Sequence, residues 1–368
     1  MKLIIQPNDG VMPIVKSIAS AKKSIEIVIF RFDRREVETA LATAVTRGVS
    51  VTALIAHTNK AGEDRLRRLE MRLLGAGVTV ARTADDFVRY HGKMMIIDRK
   101  ELHVLAFNYT TLDIDRSRSF GVVTTNRKLV SEASTLFEAD TKRNPYEAKQ
   151  ADFVVSPSNA RKQLAAFIQG AKQSLFIYDV EVSDPEMVKL IEAKAKAGID
   201  VRLIGGARGR KSTFEVRKLA RRLHARTMIR DGKLAFLGSQ SLRQMELDQR
   251  REVGLILRDP KVVAGILKTF EGDWKSGAKA GKRVGAVASV APEKAGKKVA
   301  KAVNKGMPEL TPMVEAAIKE IVKANDGLEL SAADVAEDVR SAVKEAVKGV
   351  VVEAVDAAVK DQEEARGK

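Results

Sequence analysis

His91-Gly92-Lys93-Met94-Met95-Ile96-Ile97-Asp98 and His224-Ala225-Arg226-Thr227-Met228-Ile229-Arg230-Asp231 share one internal spacing: a histidine, a cation two residues later and an aspartate seven residues later. The match continues downstream. Seventeen residues after each histidine stands a small polar residue, Asn108 or Ser241; twenty-eight after each stands Ser119 or Glu252, leading into the apolar runs FGVV and VGLIL. One histidine beside a lysine is ordinarily structural. Two copies in register point to two imidazoles and two cations meeting at one pseudo-symmetric site, a set suited to phosphodiester chemistry. On a strand, residues two apart share a face. His91 with Lys93, and His224 with Arg226, are therefore expected side by side, the histidine opening the strand and the aspartate closing it. Asp98-Arg99-Lys100 and Asp231-Gly232-Lys233 then fall where a hairpin turn belongs.

The repeat is wider than these motifs. AKKSIEIVIF (21–30) and AKQSLFIYDV (171–180) stand at one fixed offset, and RGVSVTALI (47–55) and AGIDVRLIG (197–205) at the same one. The two histidines stand at a shorter offset, shared by Phe137-Glu138-Ala139-Asp140 and Phe270-Glu271-Gly272-Asp273. The second half has thus lost a segment between its second strand and its histidine, where the first half holds a charged helix (63–74) and the strand GVTVART. Units this long are not solenoid repeats, so the chain reads as a tandem duplication into lobes 1–150 and 151–274. Short β-branched runs alternate with amphipathic helices in both. The expected class is α/β: each lobe a mixed β-sheet flanked by helices, the two lobes related by a pseudo-twofold axis.

Composition bounds what the site contains and where it works. With 368 residues, two or three domains fit. The chain has no cysteine, which excludes disulfides and thiolate metal sites and fits a reducing compartment. Four histidines among scattered carboxylates make no metal-ligand cluster, so neither a metal nor another cofactor is expected. No apolar run reaches the roughly 20 residues of a membrane-spanning helix, and MKLIIQPNDG reads as a strand and turn rather than a signal peptide. Cytoplasmic residence is the expectation, and a peripheral role at a membrane stays open. Residues 275–368 hold 17 Lys/Arg against 15 Asp/Glu, so nearly all of the +17 net charge sits on the two lobes. That favours anionic partners, a phospholipid surface first and nucleic acid second. Residues 275–306, with nine Lys/Arg and one Glu, read as a flexible basic linker. Residues 307–368 reverse sign; Ser331 and Asp334 resemble a capping box, and Val335, Val339, Val343 and Val347 draw an apolar stripe along an Ala/Val-rich helix. That stripe offers a face for self-association.

HGKMMIID with Asn108, and HARTMIRD with Gly238-Ser239 and REVGL, resemble the duplicated HxKxxxxD motifs of the phospholipase D superfamily. The resemblance covers residues 1–274. It implies a metal-independent site between two α/β lobes, in a family of phospholipases, phosphatidyltransferases such as cardiolipin and phosphatidylserine synthases, and nucleases. It implies a covalent phosphohistidine on one imidazole, with the other as acid and base. His91 takes the nucleophile's part by that resemblance, and His224 the acid/base part. Lys93, Asn108, Arg226, Ser239 and Ser241 would bind phosphate, and Glu252 matches the carboxylate that orients a histidine. Asp98 and Asp231 are expected to fix the hairpins rather than touch substrate.

The pattern has departures. Arg226 stands where the family has Lys, a planar fork in place of a point charge. Ser241 replaces Asn, Leu105-Ala106 replace Gly-Ser, and Ser119 replaces Glu. The losses are complementary, so one composite pocket would still hold one of each group. Among weaker candidates, His57 reads as a loop residue and His103 as structural. Asp33 and Asp184 read as caps of the helices that follow them. RKLARRL (217–223) reads as a basic helix face with Leu219 and Leu223 buried, or as a track for a phosphate polymer. The expected function is hydrolysis or exchange of phospholipid headgroups. A metal-independent nuclease and a non-catalytic phosphate-binding module are the alternatives.

Overall fold

The structure is a computed structural model that describes residues 1–57, 63–207 and 213–279. The tail helix expected over 307–368, and most of the linker before it, lie outside the described residues.

Lobe one contains β1 (Lys2–Gln6), α1 (Met12–Ser20), β2 (Ser24–Ile29), α2 (Arg35–Thr46), β3 (Ser50–Ile55), α3 (Glu63–Gly75) and β4 (Thr79–Arg82). It continues through β5 (Arg89–Tyr90), β6 (Met94–Ile97), β7 (Glu101–Leu105), α4 (Thr111–Asp115), β8 (Ser117–Thr124) and α5 (Arg127–Lys142). Lobe two contains β9 (Phe153–Ser156), α6 (Ala160–Gln169), β10 (Ser174–Val182), α7 (Pro185–Lys196), β11 (Asp200–Ala207) and β12 (Glu215–Lys218). It ends with β13 (Arg222–Leu223), β14 (Thr227–Arg230), β15 (Leu234–Gly238), α8 (Gln244–Asp248), β16 (Arg250–Leu257), α9 (Pro260–Ser276) and β17 (Ala278–Lys279).

The sheets correspond strand for strand. Lobe one runs β1-β8-β7-β6-β2-β3-β4; in lobe two β9, β16, β15, β14, β10, β11 and β12 take the same places, and β17 extends the far edge. In both, the middle strands β2·β3·β4 and β10·β11·β12 are parallel and the remaining core pairs antiparallel, giving the expected mixed sheet. The shortening of the second half removed the counterpart of α3 and kept the strand after it. The interval from Ala207 to Glu215 is too short for a helix of that length, and β12 still occupies the place of β4. RKLARRL is therefore not a helix. It spans the end of β12 and all of β13, because pairing with β11 and with β8 of the other lobe overrides its local helical preference. Leu219 and Leu223 are half-buried against the core.

The central strands are buried on both faces for a reason the packing makes plain. Met95 and Ile97 of β6 face a core built with α1, α2 and α3, while Met94 and Ile96 face a second core. That second core is shared: Val28, Val104 and Phe137 of lobe one meet Phe153, Tyr178, Leu237 and Phe270 of lobe two. Helices α5 and α9 lie within it.

Two cross-lobe arginine clamps reinforce this core. Arg118 holds Asp273 through Nε (2.6 Å) and Nη2 (3.0 Å) and donates Nη1 to the Gln6 carbonyl. Arg251 stands in the same place in the other lobe, with Nε 3.2 Å from Asp140 and Nη1 donating to the Ser156 carbonyl. The repeated Phe-Glu-x-Asp segments thus supply the aspartates of the two clamps.

Both hairpins turn through left-handed residues, Asp98 (φ 52°) and Arg99 (φ 51°), then Asp231 (φ 55°) and Gly232 (φ 62°). The Asp98 carboxylate accepts from the backbone N–H groups of Lys22, Lys23 and Ser24, and Asp231 from those of Lys172, Gln173 and Ser174. Both lie at the strand end remote from the histidines. Asp184 caps α7 by accepting from Glu186 and Met187 N–H groups. Asp33 does not cap α2. Its carboxylate reaches across to accept from Thr111 N–H and hydroxyl at the start of α4.

Candidate active site

Neither histidine opens its strand as the sequence suggested; the strands begin three residues later, at Met94 and Thr227. Residues 91–93 and 224–226 are short segments without regular structure that lead from β5 into β6 and from β13 into β14. What places them is an exchange between lobes. β5 pairs in parallel with the start of β16, and β13 with the start of β8. His91 N–H then donates to the Arg251 carbonyl (2.8 Å) and His224 N–H to the Arg118 carbonyl (2.9 Å). Gly92 fits this close approach: a Cβ there would stand 2.9 Å from Val253 Cγ2. Each motif is thereby delivered onto the strand of the opposite lobe.

On the β16 side, His91 Nδ1 meets Glu252 Oε2 at 2.9 Å, and Glu252 is fully buried. On the β8 side, Ser119 is the pseudo-equivalent of Glu252, yet its hydroxyl donates to the His224 carbonyl rather than meeting the ring. The carboxylate beside His224 is Asp113, whose Oδ2 is 3.2 Å from Nδ1, without the alignment of a full hydrogen bond. The apparent loss of a carboxylate from lobe one is thus made good by a different residue. Sequence reasoning missed Asp113. Its signal was present: Asp113 and Glu246 are separated by the same interval as the two histidines, within Leu-Asp-Ile-Asp and Met-Glu-Leu-Asp.

The remaining candidates fall around this pair. Lys93 is fully buried and its Nζ donates to the His91 carbonyl at 2.6 Å. Arg226 Nε approaches the Ser241 hydroxyl at 3.3 Å, while its buried Nη1 has no partner. Asn108 donates its backbone and side-chain N–H groups to Asp113, leaving Oδ1 unpartnered, and Ser241 N–H donates to Glu246. The Ser239 hydroxyl is engaged with the backbone of Val253, beside Glu252. Phe30 floors the site, its ring edge-on to His91 at 4.6 Å and 5.3 Å from Lys93 Nζ. His57 lies outside the group, its N–H donating to Thr83, and His103 is buried in β7 against Glu101. Among the described residues, no three His, Asp or Glu side chains come together as metal ligands.

The electrostatics tie the halves together. Burial, followed by Lys93 and Arg226, pushes the His91 imidazole well below its usual value. Burial, then Arg226, does the same to His224, where Asp113 opposes the shift and Lys93 adds to it. The same two cations thus act on both rings. Burial brings Lys93 down to about 7 against the pull of Glu252. It raises Glu252, opposed by Lys93, Ser239 and Arg226. Without a ligand the site holds neutral imidazoles among cations, a setting that an anionic phosphate would stabilise.

The sequence matches the family model described as cardiolipin synthase, PLD-like domain, over residues 14–141 and 164–274. No curated protein matches the chain. Among solved structures, polyphosphate kinase from Porphyromonas gingivalis is similar with a TM-score of 0.65 and 15% identity, over 76% of this chain and 48% of that one. The chain therefore spans about half of that protein's length. Phosphatidylserine synthase from Haemophilus influenzae Rd KW20 is similar with a TM-score of 0.60 and 11% identity, over 76% of this chain and 86% of that one. At these identities the structural likenesses speak for the fold. The family follows from the sequence match across both lobes: the chain belongs to the phospholipase D superfamily, as a two-lobed member with one PLD-like segment in each half.

Proposed function

We propose that this chain is a phospholipase D-type phosphodiesterase that hydrolyses or exchanges phospholipid headgroups through a phosphohistidine. The observation that carries the reading is the cross-lobe His91–Glu252 contact of 2.9 Å, set among Lys93 and Arg226. Glu252 accepting from Nδ1–H holds His91 in the tautomer whose Nε2 lone pair is free to attack. Nε2 bonds to phosphorus as the bond to the leaving oxygen breaks, and His224 gives that oxygen a proton. Neutral His224 then takes the proton of a water or alcohol, whose oxygen attacks phosphorus and releases His91. Lys93 and Arg226 hold the non-bridging oxygens as charge builds, with Ser241 behind Arg226 and Asn108 offering its free Oδ1 to the incoming hydroxyl. A bound phosphate offsets the two cations that suppress imidazolium, so His224 gains its proton when substrate arrives, with Asp113 beside Nδ1 to balance it.

The short helices α4 and α8 support a lipid substrate. Each carries an acidic residue of the site and, next to it, an exposed apolar residue: Leu112 beside Asp113, Met245 beside Glu246. Val88, whose N–H donates to Gln249 at the end of α8, is exposed as well. Apolar groups at the rim and cations within suit a peripheral enzyme on an anionic membrane. No helix among the described residues is long and apolar enough to span one.

The test is incubation of purified protein, in EDTA, with labelled phospholipid vesicles and, separately, with single- and double-stranded DNA. Headgroup release that survives chelation is the expected result. Cleavage of DNA alone would make the chain a nuclease. Binding of phosphate without turnover of either would make it an anion-binding module, and activity restored only by magnesium or zinc would overturn the phosphohistidine mechanism.

A further inference from the structure

Arg89 and Arg222 stand at pseudo-equivalent positions on β5 and β13, each two residues before its histidine, and they meet different fates. Arg222 Nη1 pairs with Asp113 Oδ1 at 2.6 Å and with the Ser117 hydroxyl at 2.7 Å. The equivalent partner for Arg89 would be Glu246. In place of Ser117, however, lobe two has Arg250, and Arg250 Nη1 takes Glu246 Oε1 at 3.1 Å while standing 4.0 Å from Glu252. Arg89 is left without a paired carboxylate among the described residues. Its guanidinium lies over the Phe30 ring at 5.3 Å, the ring that also touches His91 and Lys93, and Arg31 reaches the same ring at 5.7 Å. Burial, then repulsion from Arg250 and Arg31, lowers the Arg89 pKa against the smaller, unpaired pull of Glu252 and Glu246.

A half-buried guanidinium crowded by two others, with no ion pair among the described residues, is unfavourable in the free protein. A cation–π contact positions it without neutralising it. What relieves the crowding is an anion, and the planar fork of arginine matches the oxygens of a phosphate. We infer that Arg89, with Arg31 at the rim, forms a second anion-binding subsite beside His91, so that the substrate carries a second phosphate next to the one His91 attacks. The choice of a phospholipid as the source of that phosphate rests on the function proposed above; the subsite itself does not. On the His224 side the equivalent arginine is already neutralised, because Asp113 pairs with Arg222.

Binding is read first, by titration calorimetry of the full chain with inorganic phosphate and with pyrophosphate. The wild type should hold pyrophosphate at least about tenfold more tightly than phosphate, and Arg89→Gln should bring the two to within about twofold. Arg89→Lys should recover part of the preference, and Arg222→Gln should leave the ratio as in the wild type. An unchanged ratio in Arg89→Gln, or equal affinities in the wild type, overturns the subsite. Turnover is read second, on phosphatidylinositol against phosphatidylinositol 4-phosphate in mixed micelles, a pair that differs by one phosphate. A preference for the second that disappears in Arg89→Gln supports the inference. If neither lipid is turned over while the pyrophosphate preference depends on Arg89, the phospholipid reading fails and the subsite stands. If both lipids are turned over and no preference depends on Arg89, the subsite fails and the phospholipid reading stands.

Discussion

The His91 and His224 halves of the site have one backbone and two chemistries. In each, a short strand crosses to the other lobe and sets a histidine N–H on an arginine carbonyl. Past that point they differ. His91 meets a fully buried glutamate in line at 2.9 Å, whereas His224 meets an aspartate at 3.2 Å out of line that is shared with Arg222 and Asn108. Duplication kept the scaffold, which main-chain hydrogen bonds fix, and freed the side chains to diverge; on the mechanism proposed above, one half supplies the nucleophile and the other the acid/base. A buried Nδ1–H···carboxylate bond matters most to the ring whose lone pair must attack.

The most severe way to break the comparison is to remove one ring. His91→Ala should lower turnover by about 10⁴-fold or more and form no adduct, while His224→Ala, which loses the acid of the first step and the base of the second, should slow both and let an acid-labile adduct on His91 build up only with a substrate whose leaving group needs no proton. Mass spectrometry of the trapped protein checks this; a phosphoryl group on His224 in the reciprocal experiment would reverse the roles.

Next in size is the difference between the carboxylates. Glu252→Gln should cost about 2–4 kcal/mol of transition-state stabilisation, or about 30–1,000-fold in kcat. Asp113→Asn should cost about 10-fold, since its contact with His224 is longer and misaligned. Ser119→Ala should cost least, because that hydroxyl bonds only a main-chain carbonyl. Parallel kinetics on folded variants would dissolve the division of labour if all three costs were equal.

The smallest effect is in pH. Because the His91 pKa is lowered below 6.5, its ring stays neutral and nucleophilic as pH falls through that value, and the acid limb of kcat/KM should lie below it. Lys93 is charged only below about 7 in the empty site, so phosphate affinity should weaken as pH rises through about 7. Calorimetric titrations at a series of pH values check the second sign, and an affinity that rises with pH would contradict it.

The repeat itself was legible because it is written in register along one chain: both motifs, the Phe-Glu-x-Asp pair and the alternation of strands with helices all appear before any folding is considered. The meaning of Asp140 and Asp273 was not, since each finds its arginine in the other lobe, and Asp113 reaches His224 from a distant stretch of the chain. RKLARRL misled for the same reason. Its spacing suits a helix, but strand partners in two lobes compete for it and win. Glu252 was identified by position, although the ring it holds belongs to the opposite motif.

The core shared by the two sheets has a thermodynamic consequence. Val28, Val104 and Phe137 from one half are buried by Phe153, Tyr178 and Leu237 from the other, and the arginine clamps cross the same boundary. Opening either half would strand apolar surface and a charge belonging to its neighbour. Residues 1–279, though duplicated in sequence, should therefore melt as one cooperative unit, with a single calorimetric transition whose van't Hoff and calorimetric enthalpies agree.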